Sequence, residues 1–106
     1  MVDTLEITAD GPTLLLRGDL DVRSTGEVRT AIYDHLRQHG GAIVIDLHGV
    51  VSVDVTALRV IGAASRRAVW RGDHIALRGA SPQVLRMLHL THLIRVVQLE
   101  RGSIAV

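Results

Sequence analysis

The chain contains no cysteine, lysine, asparagine or phenylalanine, and only one tryptophan and one tyrosine. Without cysteine there can be no disulfide, thiol nucleophile or zinc–thiolate centre, a composition that suits a reducing compartment. All 12 basic residues are arginine, so no lysine is present to complete a phosphate-binding P-loop or form a Schiff base. Lysine, asparagine and phenylalanine all have AT-rich codons, and their joint absence points to a GC-rich coding sequence. No stretch reaches the roughly 20 apolar residues that cross a bilayer. Met1 to Ala9 alternates polar and apolar residues, unlike a signal peptide, so the expected location is the cytoplasm. The formal charge is +1, from 12 basic and 11 acidic residues. That balance gives no strong pull on nucleic acid or an anionic membrane, and neither is expected as a partner.

What is there suits one compact domain spanning 1–106, since 106 residues at 47% apolar content suffice for a single core. Thr4 to Ala9 and Thr13 to Arg17 alternate around the turn Asp10-Gly11-Pro12, as a hairpin at a sheet edge does. Ser24-Thr25-Gly26-Glu27 matches a capping box, and Val28, Ala31, Ile32, His35 and Leu36 mark one helical face to about His39. Ala42 to Leu47 is nearly unbroken apolar, as a central strand covered on both faces would be. A loop then leads to a helix from Val55 to Trp70, which Gly72 ends. His74 to Arg78 reads as a strand, Ser81-Pro82 opens a helix with Val84, Leu85 and Leu88 as its buried stripe, and Ile94 to Leu99 closes as a strand. Strands joined through helices imply parallel pairing, so the expected fold is α/β: a mixed, mostly parallel sheet with an N-terminal β-hairpin edge and about three main helices packed on it. Ile104 and Val106 are candidates to dock on the sheet or on a partner.

The segment most suggestive of chemistry is Asp54-Val55-Thr56. Asp54 is a plausible N-cap, and Thr56 falls in the first helical turn, where unpaired N–H groups and the helix dipole favour an added anion. A cap with nothing more would look the same. No nucleophile elbow orders Asp54, Thr56 or Ser52 with any of the six histidines, so no enzyme activity, cofactor or metal is expected. His89 and His92 have helical i, i+3 spacing but no third ligand nearby. Arg66, Arg67 and Arg71 read as a solvated face with cations at a helix C-terminus, and Trp70 as closing the core edge. Gly62 inside the second helix suits a close helix-to-sheet approach.

Gly18-Asp19-Leu20-Asp21, Asp46-Leu47 through Asp54-Val55-Thr56-Ala57-Leu58, and Ser81-Pro82 through Leu93-Ile94 resemble, in order and spacing, the STAS domain family, with the bacterial anti-anti-sigma factors as the best fit. The resemblance implies a STAS-like single domain. It also implies an anti-sigma factor antagonist whose unphosphorylated form binds an anti-sigma factor of the ATPase or kinase type and so frees a sigma factor. The family's central loop reads Asp-Ser-Ser-Gly or Asp-Ser-Thr-Gly, with the third residue phosphorylated; here that position is Thr56. Phosphorylation would turn binding off until a serine/threonine phosphatase resets it. The partner-binding residues carried over are Asp21, Asp54, Val55, Thr56, Ala57 and Arg59, in a monomer or weak homodimer.

Three departures touch that surface. Val55 replaces the usual small hydroxyl, Ala57 the usual glycine, and Arg59 a small residue. Arg59 lies three residues after Thr56 on one helical face, where it could pair with a phosphate or alter partner choice. The departures keep open a second expectation, a non-switching STAS scaffold subunit of a larger stress-signalling assembly.

Overall fold

A computed structural model of the chain describes residues 4–100; the tail carrying Ile104 and Val106 lies outside the described residues. Five strands form one sheet in the order β1 (Leu5–Asp10), β2 (Thr13–Leu20), β3 (Ala42–Val53), β4 (His74–Arg78) and β5 (Gln98–Leu99). β1 and β2 are the antiparallel hairpin at the edge; the remaining pairings are parallel, each crossover made through a helix: α1 (Thr25–Gln38), α2 (Val55–Arg71) and α3 (Pro82–Leu90).

Strand register explains the core. Leu14, Ile45 and Leu77 are cross-strand neighbours, and Ile43 pairs with Ile75 two residues earlier. Side chains at period two share a face, so these residues form one apolar surface. Val28, Ile32 and Leu36 of α1, Leu58 and Ile61 of α2, and Val84 and Leu88 of α3 pack on it in a single cluster. The opposite face carries Leu15, Val44, Asp46 and Arg78, so among the described residues the strand expected to be covered on both faces has helices on one. β3 reads as a continuous apolar run because Val44 is half-buried there.

β3 is also twice as long as expected. It runs without a loop to Val53, alongside a β2 that continues to Leu20, through register shifts at Leu15/Arg17 and Gly18/Asp19. Gly18 sits at φ 103°, and a Cβ there would strike the Thr4 carbonyl oxygen. Glycine alone tolerates both the backbone and the approach. Asp19, beyond the Arg17 at which the sequence pattern ends this strand, is therefore held in it.

The capping box at Ser24 does not form. A 3₁₀ turn over Val22–Ser24 precedes α1, and the buried Ser24 hydroxyl donates to the Asp21 carbonyl oxygen at 3.1 Å instead of capping. At the other end, a left-handed His92 leads into a second 3₁₀ turn, Leu93–Arg95, which takes the first two residues of the segment expected as the last strand. Only Gln98 and Leu99 pair with β4. That turn accounts for Gly62: a Cβ would lie 2.8 Å from Leu93 Cδ2, so the close neighbour is the C-terminal turn and not the sheet.

Candidate functional site

Asp54 makes the junction from β3 to α2. One carboxylate oxygen accepts from the Ala57 N–H at 2.9 Å as an N-cap, and the other accepts from the Val22 N–H at 3.0 Å. Its own N–H donates to the Leu20 carbonyl at 3.1 Å. One residue thus fastens the start of α2 to the turn that follows β2, and the two segments form a single surface.

Thr56 is exposed in the first turn of α2, Val55 is half-buried beside it, and Arg59 is exposed one turn later. Ala57 is only 1% exposed, with its methyl in the core cluster and its N–H on Asp54. The Ala57 side chain is core, because the position faces inward one residue after Thr56. Asp21 begins the 3₁₀ turn, and Arg23 grips its carboxylate at 2.6 Å. That guanidinium hydrogen bond is the main cause that lowers the Asp21 pKa and raises that of Arg23.

Three features escape a reading of the sequence alone. Ser52 donates to Asp19 at 2.6 Å across the ends of β3 and β2. Val51 and Val22, 74% and 60% exposed, are apolar side chains left in water on this junction or beside it. The sequence signal for Val51 was present in the run Val50-Val51-Ser52-Val53, but strand length and bulges decided which valine faces out.

A second polar cluster lies on the sheet face opposite α1, α2 and α3. Asp46, 7% exposed, accepts from the His48 N–H at 2.8 Å and from Arg78 Nε at 3.0 Å, and His48 Nδ1 lies 3.2 Å away. Burial by itself would raise the Asp46 pKa, but these hydrogen bonds together outweigh it and the carboxyl titrates below its ordinary range. His92 falls beyond α3 in left-handed backbone, so the helical spacing of His89 and His92 is not realised. Among the described residues no group of three potential ligands could hold a metal, and no helix is long and apolar enough to cross a membrane.

A family model described as "Mlab, STAS domain" matches residues 4–98. The chain belongs to the STAS domain family. Solved structures repeat this STAS fold. A Thermotoga maritima protein described as an anti-sigma factor antagonist is 23% identical, with 90% of this chain and 84% of that chain covered and a TM-score of 0.71. The phosphorylated form of SpoIIAA from Bacillus is 15% identical, covering 92% of each chain with a TM-score of 0.64. A sulfate transporter family protein from Wolinella succinogenes is 14% identical, covering 85% of this chain and 74% of that one, with a TM-score of 0.66. At these identities the likeness is one of fold. No curated protein matches the sequence.

Proposed function

We propose that this STAS domain is an anti-sigma factor antagonist that works by partner switching. The unphosphorylated form binds an ATPase-type anti-sigma factor through the junction of Asp21, Val22, Val51, Asp54, Val55, Thr56 and Arg59. Phosphorylation of Thr56 by that partner releases it, and a phosphatase restores binding. The domain itself performs no catalysis. The observation that carries this reading is the exposed Thr56 hydroxyl on the first turn of α2, on a junction with exposed valines nearby.

A phosphate there adds about −1.5 to −2 charge. The positive end of the helix tolerates it, and Arg59, three residues on, is placed to pair with it. A partner surface shaped for a neutral threonine and valines instead meets a dianion, and burying that without a counter-charge costs several kcal/mol. Binding is lost while the fold persists. In the unmodified chain Asp54 is engaged with two backbone amides, which supports a switch that stays local.

The test is retention of partners from native lysate by wild type, Thr56→Ala, Thr56→Glu and enzymatically phosphorylated wild type, with identification by mass spectrometry. The expected result is an ATPase-fold anti-sigma protein held by the first two baits and lost by the last two. The Wolinella transporter-family relative motivates one other reading, that the same junction docks constitutively as a subunit of a larger assembly. Equal retention of one large complex by all four baits would establish that reading and remove Thr56 as the switch.

A further inference from the structure

The far end of α2 carries features that the Thr56 junction does not use. Ala63, Arg66, Arg67, Trp70 and Arg71 recur at helical spacing along its outer face. Trp70, the single tryptophan of the chain, is 83% exposed. The expectation that Trp70 closes the core edge is corrected, because Ala64, Ser65 and Ala68 are the α2 residues that turn inward there. Beside this face, between the C-terminal halves of α1 and α2, lies a groove of about 490 Å³. Leu36, Ala68 and the Gly40–Gly41 backbone line it together with Tyr33, Arg37, Arg67 and Arg71. Arg67 lies over the Tyr33 ring at 5.7 Å, which holds its guanidinium at the rim.

Charge on this surface is unbalanced. Arg37 pairs with Asp34, and Asp73 lines the groove. Among the described residues no carboxylate lies within ion-pair distance of Arg66, Arg67 or Arg71. Arginines in the last turn are explained by the helix dipole; Arg66, Arg67 and an exposed tryptophan are not. Arginine, tryptophan and tyrosine are the side chains that anchor protein interfaces.

We propose that this groove and Trp70 form a second docking surface, for an acidic segment of a partner protein. Its carboxylates meet Arg66, Arg67 and Arg71, and an apolar side chain covers Trp70. The concave floor admits a peptide chain and keeps a flat bilayer surface away from Leu36 and Ala68. Fourteen residues separate Thr56 from Trp70, about 21 Å of helix at 1.5 Å per residue. An occupant here leaves the Thr56 junction free, so one domain can hold two partners at once, each site acting independently of the other.

Trp70 is its own reporter, being the only tryptophan. The purified chain is titrated at low ionic strength with an acetylated octapeptide of alternating glutamate and leucine, with its lysine–leucine counterpart, and with vesicles of phosphatidylglycerol and phosphatidylcholine. The expected result is a saturable blue shift of Trp70 emission with the glutamate peptide alone. It weakens roughly tenfold in the Arg67→Ala/Arg71→Ala double variant and at high salt, and is unchanged in Thr56→Glu. Circular dichroism of the double variant verifies its fold. No saturable shift, equal response to the lysine peptide, or undiminished binding by the double variant would overturn the proposal. A response to the vesicles without one to the glutamate peptide would replace it with a membrane surface. Failure of the Thr56 switch leaves all of these readouts intact.

Discussion

Both oxygens of the Asp54 carboxylate are taken by backbone amides, one from Val22, 32 residues earlier in sequence, and one from Ala57 in the first turn of α2. Removing an N-cap carboxylate typically costs about 1 kcal/mol, and a second amide left without its acceptor adds to that. Asp54→Ala is therefore expected to lower stability by about 2 kcal/mol, read as a drop in the urea midpoint at unchanged m-value. Asp54→Ser restores the helix cap but is too short to serve Val22 as well, and its midpoint should fall between the two. The cap was readable in the sequence, since an aspartate before a helical period announces itself locally. Its second bond was not, because nothing in residues 50–58 specifies that the Val22 N–H lies opposite. The same distinction separates Thr56, rightly expected at a helix start, from Ala57, whose burial follows from which side of α2 meets the sheet.

At the scale of elements, periodicity and caps placed most helices and strands within a residue or two. α2 ends at Gly72, in left-handed backbone at φ 77°, and Ser81 caps α3 by accepting from the Val84 N–H at 3.2 Å. The errors fall where pairing partners set the outcome. β2 and β3 extend past their periodic cores because each supplies the other's hydrogen bonds through two bulges. The last segment is a two-residue strand preceded by a 3₁₀ turn whose Leu93 lies over Gly62. Glycine inside a helix costs about 1 kcal/mol relative to alanine. With Leu93 present, the 2.8 Å approach should cancel that gain, since the leucine tip must move aside. Gly62→Ala is expected to be near neutral alone and to stabilise by about 1 kcal/mol in a Leu93→Ala background. A double-mutant cycle by chemical denaturation reads the coupling. Equal effects in both backgrounds would show that α2 and the C-terminal turn are not packed against each other.

For the whole molecule, the sheet has one face covered by helices, and Asp46 is its buried charge on the other. Asp46 joins β3 to β4 through Arg78, which also lies 3.8 Å from Glu100. The folded pKa of Asp46 is depressed, so the unfolded chain takes up its proton first as pH falls. The stability it contributes is intact above the ordinary carboxylate pKa of about 4 and is lost as pH drops through the folded value. Thermal midpoints measured between about pH 6 and 2.5 should fall on the acid side, and Asp46→Asn should lower the midpoint at neutral pH and flatten that fall. Asp21 is also depressed by Arg23, but the pair is exposed and solvent-screened, so Asp21→Asn should change the acid limb much less.

The sequence by itself determined the elements, their order, the parallel sheet with its hairpin edge, the cap at Asp54 and the position of Thr56. These rest on interactions within about four residues, on the period at which apolar side chains recur, and, for the parallel pairing, on the helices that join successive strands. The tertiary structure alone decided that Ala57 is core and Trp70 is solvent-facing, that Asp19 and Ser52 meet, that Asp46 is buried, and that Leu93 fills the space above Gly62. Each of these depends on which surfaces the packed elements cover, and covering is set by chain segments tens of residues away.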